Sequence, residues 1–321
     1  MKEYGGYLPI ELEKREEYYH FDSSTMKRVN SGRTAIISAV IDGGYDKVFV
    51  PLYMCESVLN ALKERNISFE KYHIGRDFQP IDVHLGEQEL LIWPNYYGIM
   101  SRQSIQALRQ QYKNILFDNT QAFFSEPILD AYNVYSCRKF FGVSDGAYLI
   151  HDNMKSLELK EGFSSDSAKF LLKSLEYGTN AAYEEYLENE ARIANESIRS
   201  MSILTCNILK SIDYQNISQK RRVNFMYLHD KLKDVNELHI QLDEQVPMVY
   251  PLLIENNELR KYLVENRVYV PQWWRWILES KEANVFEMKL SKYLIPLPID
   301  QRYDKVDMEY LSKIILNYIK K

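Results

Sequence analysis

Lys139 stands between an alternating, strand-like segment, Ala131 to Ser136 (AYNVYS), and a turn that opens with Phe140, Phe141 and Gly142. A lysine set against aromatic side chains loses hydration, which disfavours its ammonium form and leaves the amine free to attack a carbonyl. Taken alone, a lysine beside Arg138 is more simply a solvated surface residue, as most lysines are. Its weight comes from three other polar groups upstream and from where they stand in the chain.

Asp118 ends the apolar run ILFD and is followed by Asn119, Thr120 and Gln121. Open α/β sheets bind ligands just beyond the carboxyl ends of their strands, and a carboxylate there is placed to hold a protonated ring nitrogen or, equally, to cap the following turn. The stretch Asn30-Ser31-Gly32-Arg33-Thr34 leads into AIISAVI. Free N–H groups and hydroxyls at a helix start bind a phosphate, although Ser and Gly also occur there simply as caps. Ser136, three residues before Lys139, has a hydroxyl that reaches the same anion or serves its own turn. Tyr96 and Tyr97, on the glycine turn that ends ELLIW, either flank a planar ligand or cover the sheet edge. The segment 270–276 (VPQWWRW) sets three tryptophans round Arg275, a cluster suited to packing or to the wall of a sugar or ring pocket.

Other chemistries find no support. The six histidines, His20, His73, His84, His151, His229 and His239, show no helical pairing of the kind metal sites use, and neither a Gly-x-Ser-x-Gly nor a Gly-x-Gly-x-x-Gly pattern occurs. Net charge is −5 with scattered basic residues, so nucleic acid is not an expected partner; the one dense basic run, 220–222, is expected to be a solvated helix start. Three widely spaced cysteines fit no disulfide framework and imply a reducing compartment. The charged N-terminus lacks a signal-peptide core and no apolar run approaches spanning length, which together predict a soluble, cytoplasmic protein without membrane contact.

These residues need elements to hold them. Apolar runs at 47–50, 68–73, 90–93, 114–117, 133–136 and 147–151 alternate with helical patterns at 34–41, 56–65 and 101–112, which predicts βαβ units around a largely parallel sheet. Residues 165–214 carry helical pattern only. Beyond them follow helix 220–232, strand 246–254, helix 258–266, strand 293–297 and helix 304–319, an α+β lobe. The expected division is a large domain with its N-terminal segment and connecting helices at 1–212 and a small C-terminal domain at 213–321.

In this order the segments resemble fold type I pyridoxal-phosphate enzymes, and among them the DegT/StrS-type sugar aminotransferases. NSGRTAI resembles the family's Ser-Gly phosphate turn, KVFVPLYMCESVLNAL its Val-Pro-x-Tyr-x-Cys segment, and NYYGI its His-Leu-Tyr-Gly turn. FDNTQAF resembles the Asp-Ala-Ala-Gln-Ala stretch, YSCRKFFGVSDGA the Ser-x-x-Lys to Asp-Gly-Gly stretch, and LIPLPIDQRYDKVDMEYL the closing strand and helix. The resemblance implies an aspartate aminotransferase-like α/β fold and pyridoxal 5'-phosphate held covalently by Lys139. It further implies Asp118 at the pyridine nitrogen, Gln121 near the ring hydroxyl, and Ser31, Gly32, Arg33 and Ser136 around the phosphate. The implied activity is transfer of an amino group from an amino acid such as glutamate to a keto-sugar, nucleotide-linked, in polysaccharide or nucleotide-sugar biosynthesis, by a homodimer. The alternatives are a protein of this fold that binds without turnover, and a sugar dehydratase, against which the presence of Lys139 weighs. Relatives place a stacking ring in the segment matching Met54-Cys55-Glu56, where this chain has none, so Tyr97 or Tyr53 is expected to flank the cofactor instead. Residues 165–213 match the family poorly.

Overall fold

The computed structural model describes residues 4–155 and 157–320. A short strand, Met26–Val29 (β1), leads into Gly32–Gly43 (α1), Lys47–Pro51 (β2) and Glu56–Glu64 (α2). Ser68–Ile74 (β3), Pro80–Ile81 (β4), Glu89–Pro94 (β5), Arg102–Gln111 (α3), Ile115–Asp118 (β6), Tyr132–Ser136 (β7) and Ala147–Ile150 (β8) complete the sheet region. Three helices follow: Lys169–Tyr177 (α4), Tyr183–Asn195 (α5) and Ile203–Leu209 (α6). The chain closes with Tyr214–Leu232 (α7), Val249–Leu253 (β9), Leu259–Glu265 (α8), Val285–Tyr293 (α9), Leu294–Pro298 (β10) and Lys305–Ile319 (α10).

The sheet runs β1-β8-β7-β6-β5-β2-β3-β4. The five inner strands from β7 to β3 are parallel, while β8, β1 and β4 join antiparallel at the two ends. β1 and β4 were not expected from sequence, because MKRV and the dipeptide PI carry no alternating apolar pattern. They close the two edges of the sheet by backbone pairing, β1 also burying Met26 and Val29.

Alternation along the strands decides which layer each residue meets. Leu90 and Ile92 of β5, with Val48 and Val50 of β2, pack beneath α1 and α2, whereas Leu91, Trp93 and Phe49 face the cluster shared with the C-terminal lobe. Burial on both faces explains why these strands read as continuous apolar runs. α1 is itself buried from Gly32 to Val40 apart from Arg33, and a capping box starts it: Ser31 Oγ accepts from Thr34 N–H at 3.2 Å and Thr34 Oγ1 from Ser31 N–H at 3.1 Å.

The C-terminal lobe stacks α7 and α10 on the two-stranded β9–β10 sheet and shares one continuous apolar cluster with the main sheet. α7 begins at Tyr214, capped by Asp213, so the run 220–222 lies inside the helix rather than at a solvated start. Arg221 is the correction in full: it is 2% exposed, donates to the carbonyls of Met248 at 3.0 Å and Pro247 at 3.4 Å, and to Gln301 Oε1 at 3.2 Å. A guanidinium is buried at low cost only when partners satisfy its fork of donors, and these come from segments far along the chain. Among the described residues no helix is long and apolar enough to cross a membrane.

Candidate functional site

β6 and β7 lie side by side with Asp118 opposite Val134, so Asp118 and Ser136 both finish at the carboxyl edge of the parallel sheet. The chain then turns through one 3-10 turn, Cys137–Lys139, closed by Phe140 N–H to the Cys137 carbonyl at 3.1 Å. Phe140 and Phe141 sink into an aromatic cluster with Phe123 and Phe124, where they anchor the turn instead of walling the lysine. Lys139 itself is exposed at the end of this turn, with neighbouring protein displacing part of its hydration. Loss of water contact lowers its pKa from the usual lysine value, the charge of Arg138 lowers it further, and Cys55 opposes the shift. A lowered pKa moves an amine toward its nucleophilic free-base form.

Asp118 is 6% exposed. Burial raises its pKa from 3.8 to about 6, against the hydrogen bonds of Thr120, whose N–H donates to Oδ1 at 3.0 Å. No cation pairs with it among the described residues. A buried carboxylate in that condition is stabilised by a positive group brought to it.

The start of α1 comes up against both loops. A Cβ built on Gly32 would lie 2.8 Å from Thr120 Cγ2 and 3.6 Å from Ser136 Cβ, so only glycine permits this approach. Ser31 Oγ accepts the α1 cap hydrogen bond and lies 3.0 Å from Thr34 Oγ1, whereas Ser136 makes no cap bond at its own turn. Arg33 is half-buried, and its Nη2 donates to the carbonyl of Ile193 on α5.

Gln121 and Tyr97 are joined to each other. Gln121 Oε1 accepts from Tyr97 N–H at 2.7 Å and, with Met248 N–H on the Tyr97 carbonyl at 2.8 Å, holds Tyr97 at φ 59. The expectation that Tyr97 or Tyr53 flanks a cofactor is corrected here. Both rings are fully buried; Tyr97 stacks on Trp273 with centroids 5.8 Å apart, its hydroxyl 3.0 Å from that of Tyr53, and Tyr53 meets Trp274 edge-on at 4.4 Å. The tryptophan segment therefore packs the lobe onto the sheet, and Trp276 Nε1 donates to the Met54 carbonyl at 3.1 Å.

Two further residues bear on these groups: Cys55, which the sequence places within its motif, and Glu190, which it does not mark. Cys55, the exposed N-cap of α2, lies near enough for charge on it to act on Lys139 and Arg33. Glu190 of α5 forms an ion pair with Arg138. Glu190 carries no spacing signal, since its place is set by helix packing.

No family model matches the chain, and no curated protein matches it in sequence. Solved structures do match. NtdA from Bacillus subtilis with bound PMP is 16% identical at a TM-score of 0.66, over 92% of this chain and 73% of that one. The sugar aminotransferase CalS13 from Micromonospora echinospora is 10% identical at 0.64, over 90% and 86%. A GDP-4-keto-6-deoxymannose-3-dehydratase with bound GDP-perosamine is 12% identical at 0.61, over 91% and 86%. At these identities the likeness speaks for architecture, and the mixed eight-stranded sheet with its smaller C-terminal lobe has the fold of the pyridoxal-phosphate-dependent aminotransferases.

Proposed function

We propose that this protein is a pyridoxal-phosphate-dependent aminotransferase that moves an amino group from an amino acid such as glutamate to a nucleotide-linked keto-sugar. The observation that carries this reading is the meeting, at one edge of the parallel sheet, of Asp118, Lys139 and the α1 N-terminus with Gly32 against Thr120 and Ser136.

The residues present fit the cofactor. Asp118, buried without a cation, suits a pyridinium nitrogen and would hold it protonated. The N–H groups opening α1, with the hydroxyls of Ser31 and Ser136, would take the phosphate, helped by Arg33. Gln121 would lie near the ring hydroxyl. Pyridoxal phosphate, when bound, supplies the electron sink for bond breaking at the substrate carbon. Lys139 would hold the cofactor and, once released, move a proton to and from that carbon, for which an amine of lowered pKa is suited.

A second reading, binding without turnover, is favoured by Cys55 in the segment where relatives carry a stacking ring and by the enclosure of Tyr53 and Tyr97. We place the cofactor in residues 1–212, with 213–321 as the smaller domain, and read the protein as a cytoplasmic homodimer. The apolar residues Leu172, Leu175, Tyr177 and Tyr183 exposed on and between α4 and α5 support self-association. The test is a visible absorption spectrum with and without borohydride, followed by mapping of the reduced adduct. An adduct on Lys139 supports the cofactor reading and one elsewhere ends it; formation of 2-oxoglutarate from glutamate then separates turnover from binding.

A further inference from the structure

The C-terminal lobe holds a cavity of about 480 Å³ between α8, the end of α9, the start of β10 and the segment that follows Pro271. None of its lining residues belongs to the group at the sheet edge. Three of them are cations, Arg260 and Lys261 of α8 and Lys292 of α9, against one carboxylate, Glu265. Among the described residues none of these three cations forms an ion pair.

Arg260 is half-buried and fixed from two sides: Nη1 donates to the Pro271 carbonyl and Nη2 to the Leu294 carbonyl, each at 2.5 Å. A guanidinium keeps its charge and carries five N–H donors, so two carbonyls leave the charge and the remaining donors unanswered. Lys292 Nζ stands 4.8 Å from the centroid of the Tyr293 ring, a contact that steadies an ammonium without neutralising it. Like charges gathered round one space repel, and an anion entering that space relieves them. Planar and compact donors together suit phosphate oxygens. The volume lies in the range of small-molecule sites, and Val264, Leu278 and Tyr293 give the cavity an apolar side that a bare phosphate would leave unused.

We propose that this cavity binds a small organic phosphate, its phosphate groups held by Arg260, Lys261 and Lys292 and its organic part set against Val264, Leu278 and Tyr293. The site stands apart from the sheet edge, so it does not depend on the reaction carried out there.

Inorganic pyrophosphate, which carries the charge without the organic part, is the probe. The full chain is labelled with acetic anhydride at constant ionic strength over a pyrophosphate series, and acetylation of Lys261 and Lys292 is read by mass spectrometry. Lys63, exposed on α2, controls for reagent consumed by the anion. Saturable protection of Lys261 and Lys292, with Lys63 unaffected, is expected. Arg260→Gln should raise the concentration for half-protection by about tenfold or more, as loss of a charged hydrogen-bond donor implies. If Arg260→Gln fails to fold, Lys261→Gln carries the test, with the same shift expected at Lys292. No protection at millimolar pyrophosphate, equal protection of Lys63, or a half-protection point unmoved by these substitutions overturns the proposal. Protection by succinate at the same concentration overturns the phosphate assignment.

Discussion

Gly32, the first residue of α1, touches Thr120, the residue that binds Asp118: a Cβ on Gly32 would meet Thr120 Cγ2 at 2.8 Å, and Thr120 N–H donates to Asp118 Oδ1 at 3.0 Å. One missing methyl group thus lets the phosphate end and the ring-nitrogen end of the candidate site share a wall. Gly32→Ala gains helix propensity of up to about 1 kcal/mol, but the threonine methyl is short and cannot swing away. The expected result is a net loss of about 1–3 kcal/mol in urea unfolding, with weaker cofactor retention. A more stable variant would show that the Thr120 loop yields.

Asp118→Asn is expected to stabilise the cofactor-free chain while impairing catalysis. Burial raises the Asp118 pKa from 3.8 to about 6, so the folded state holds the proton more tightly than the unfolded one. The group therefore contributes its full stability below 3.8 and loses it as pH rises toward about 6, with no further change above. The loss is on the order of 3 kcal/mol, and the amide escapes it. Urea titrations at several pH values between about 4 and 7 should show a falling stability in the wild type and a flatter line in the variant. Turnover should drop by several kcal/mol of transition-state stabilisation, because an amide cannot keep a pyridine nitrogen protonated.

Lys139→Ala is expected to abolish the borohydride adduct and all transamination while leaving the thermal midpoint nearly unchanged, since the side chain faces solvent rather than core. Lys139→Arg should be no better, as a guanidinium keeps its proton and cannot attack an aldehyde. Activity near wild type in either variant removes the assignment.

Ser31 and Ser136 separate capping from binding. Ser31 Oγ caps α1, so Ser31→Ala should cost about 1 kcal/mol of stability as well as cofactor retention. Ser136 caps nothing at its turn, so Ser136→Ala should leave stability alone and weaken retention by roughly 1–3 kcal/mol for a lost charge-assisted bond. Dialysis against buffer without cofactor measures retention. A double variant that holds the cofactor as wild type does returns both serines to structural roles.

Much of the architecture was legible because it is local. The runs ILFD and YNVYS are too apolar to face water and end in polar residues, which places Asp118 and Ser136 at strand ends. Once the strands are parallel, those ends must lie on one edge of the sheet. Ser31 at the start of α1 is legible for the same reason, from a cap followed by an apolar helix. Edge strands β1 and β4 were not legible, since backbone pairing leaves no mark on side-chain pattern.

The sequence by itself determined the alternation of strands and helices, the order of Ser31, Asp118, Ser136 and Lys139, and their placement at element ends, all consequences of short-range periodicity. Only the tertiary structure decided which side chains come together at the sheet edge and which are enclosed. Arg221 is buried because Pro247, Met248 and Gln301 supply acceptors, and Tyr97 is shut in because Trp273 covers its face. Glu190 reaches Arg138 only because α5 folds back on the lysine turn. Burial, field and partner choice are sums over segments distant in the chain, and no local pattern of residues encodes such a sum.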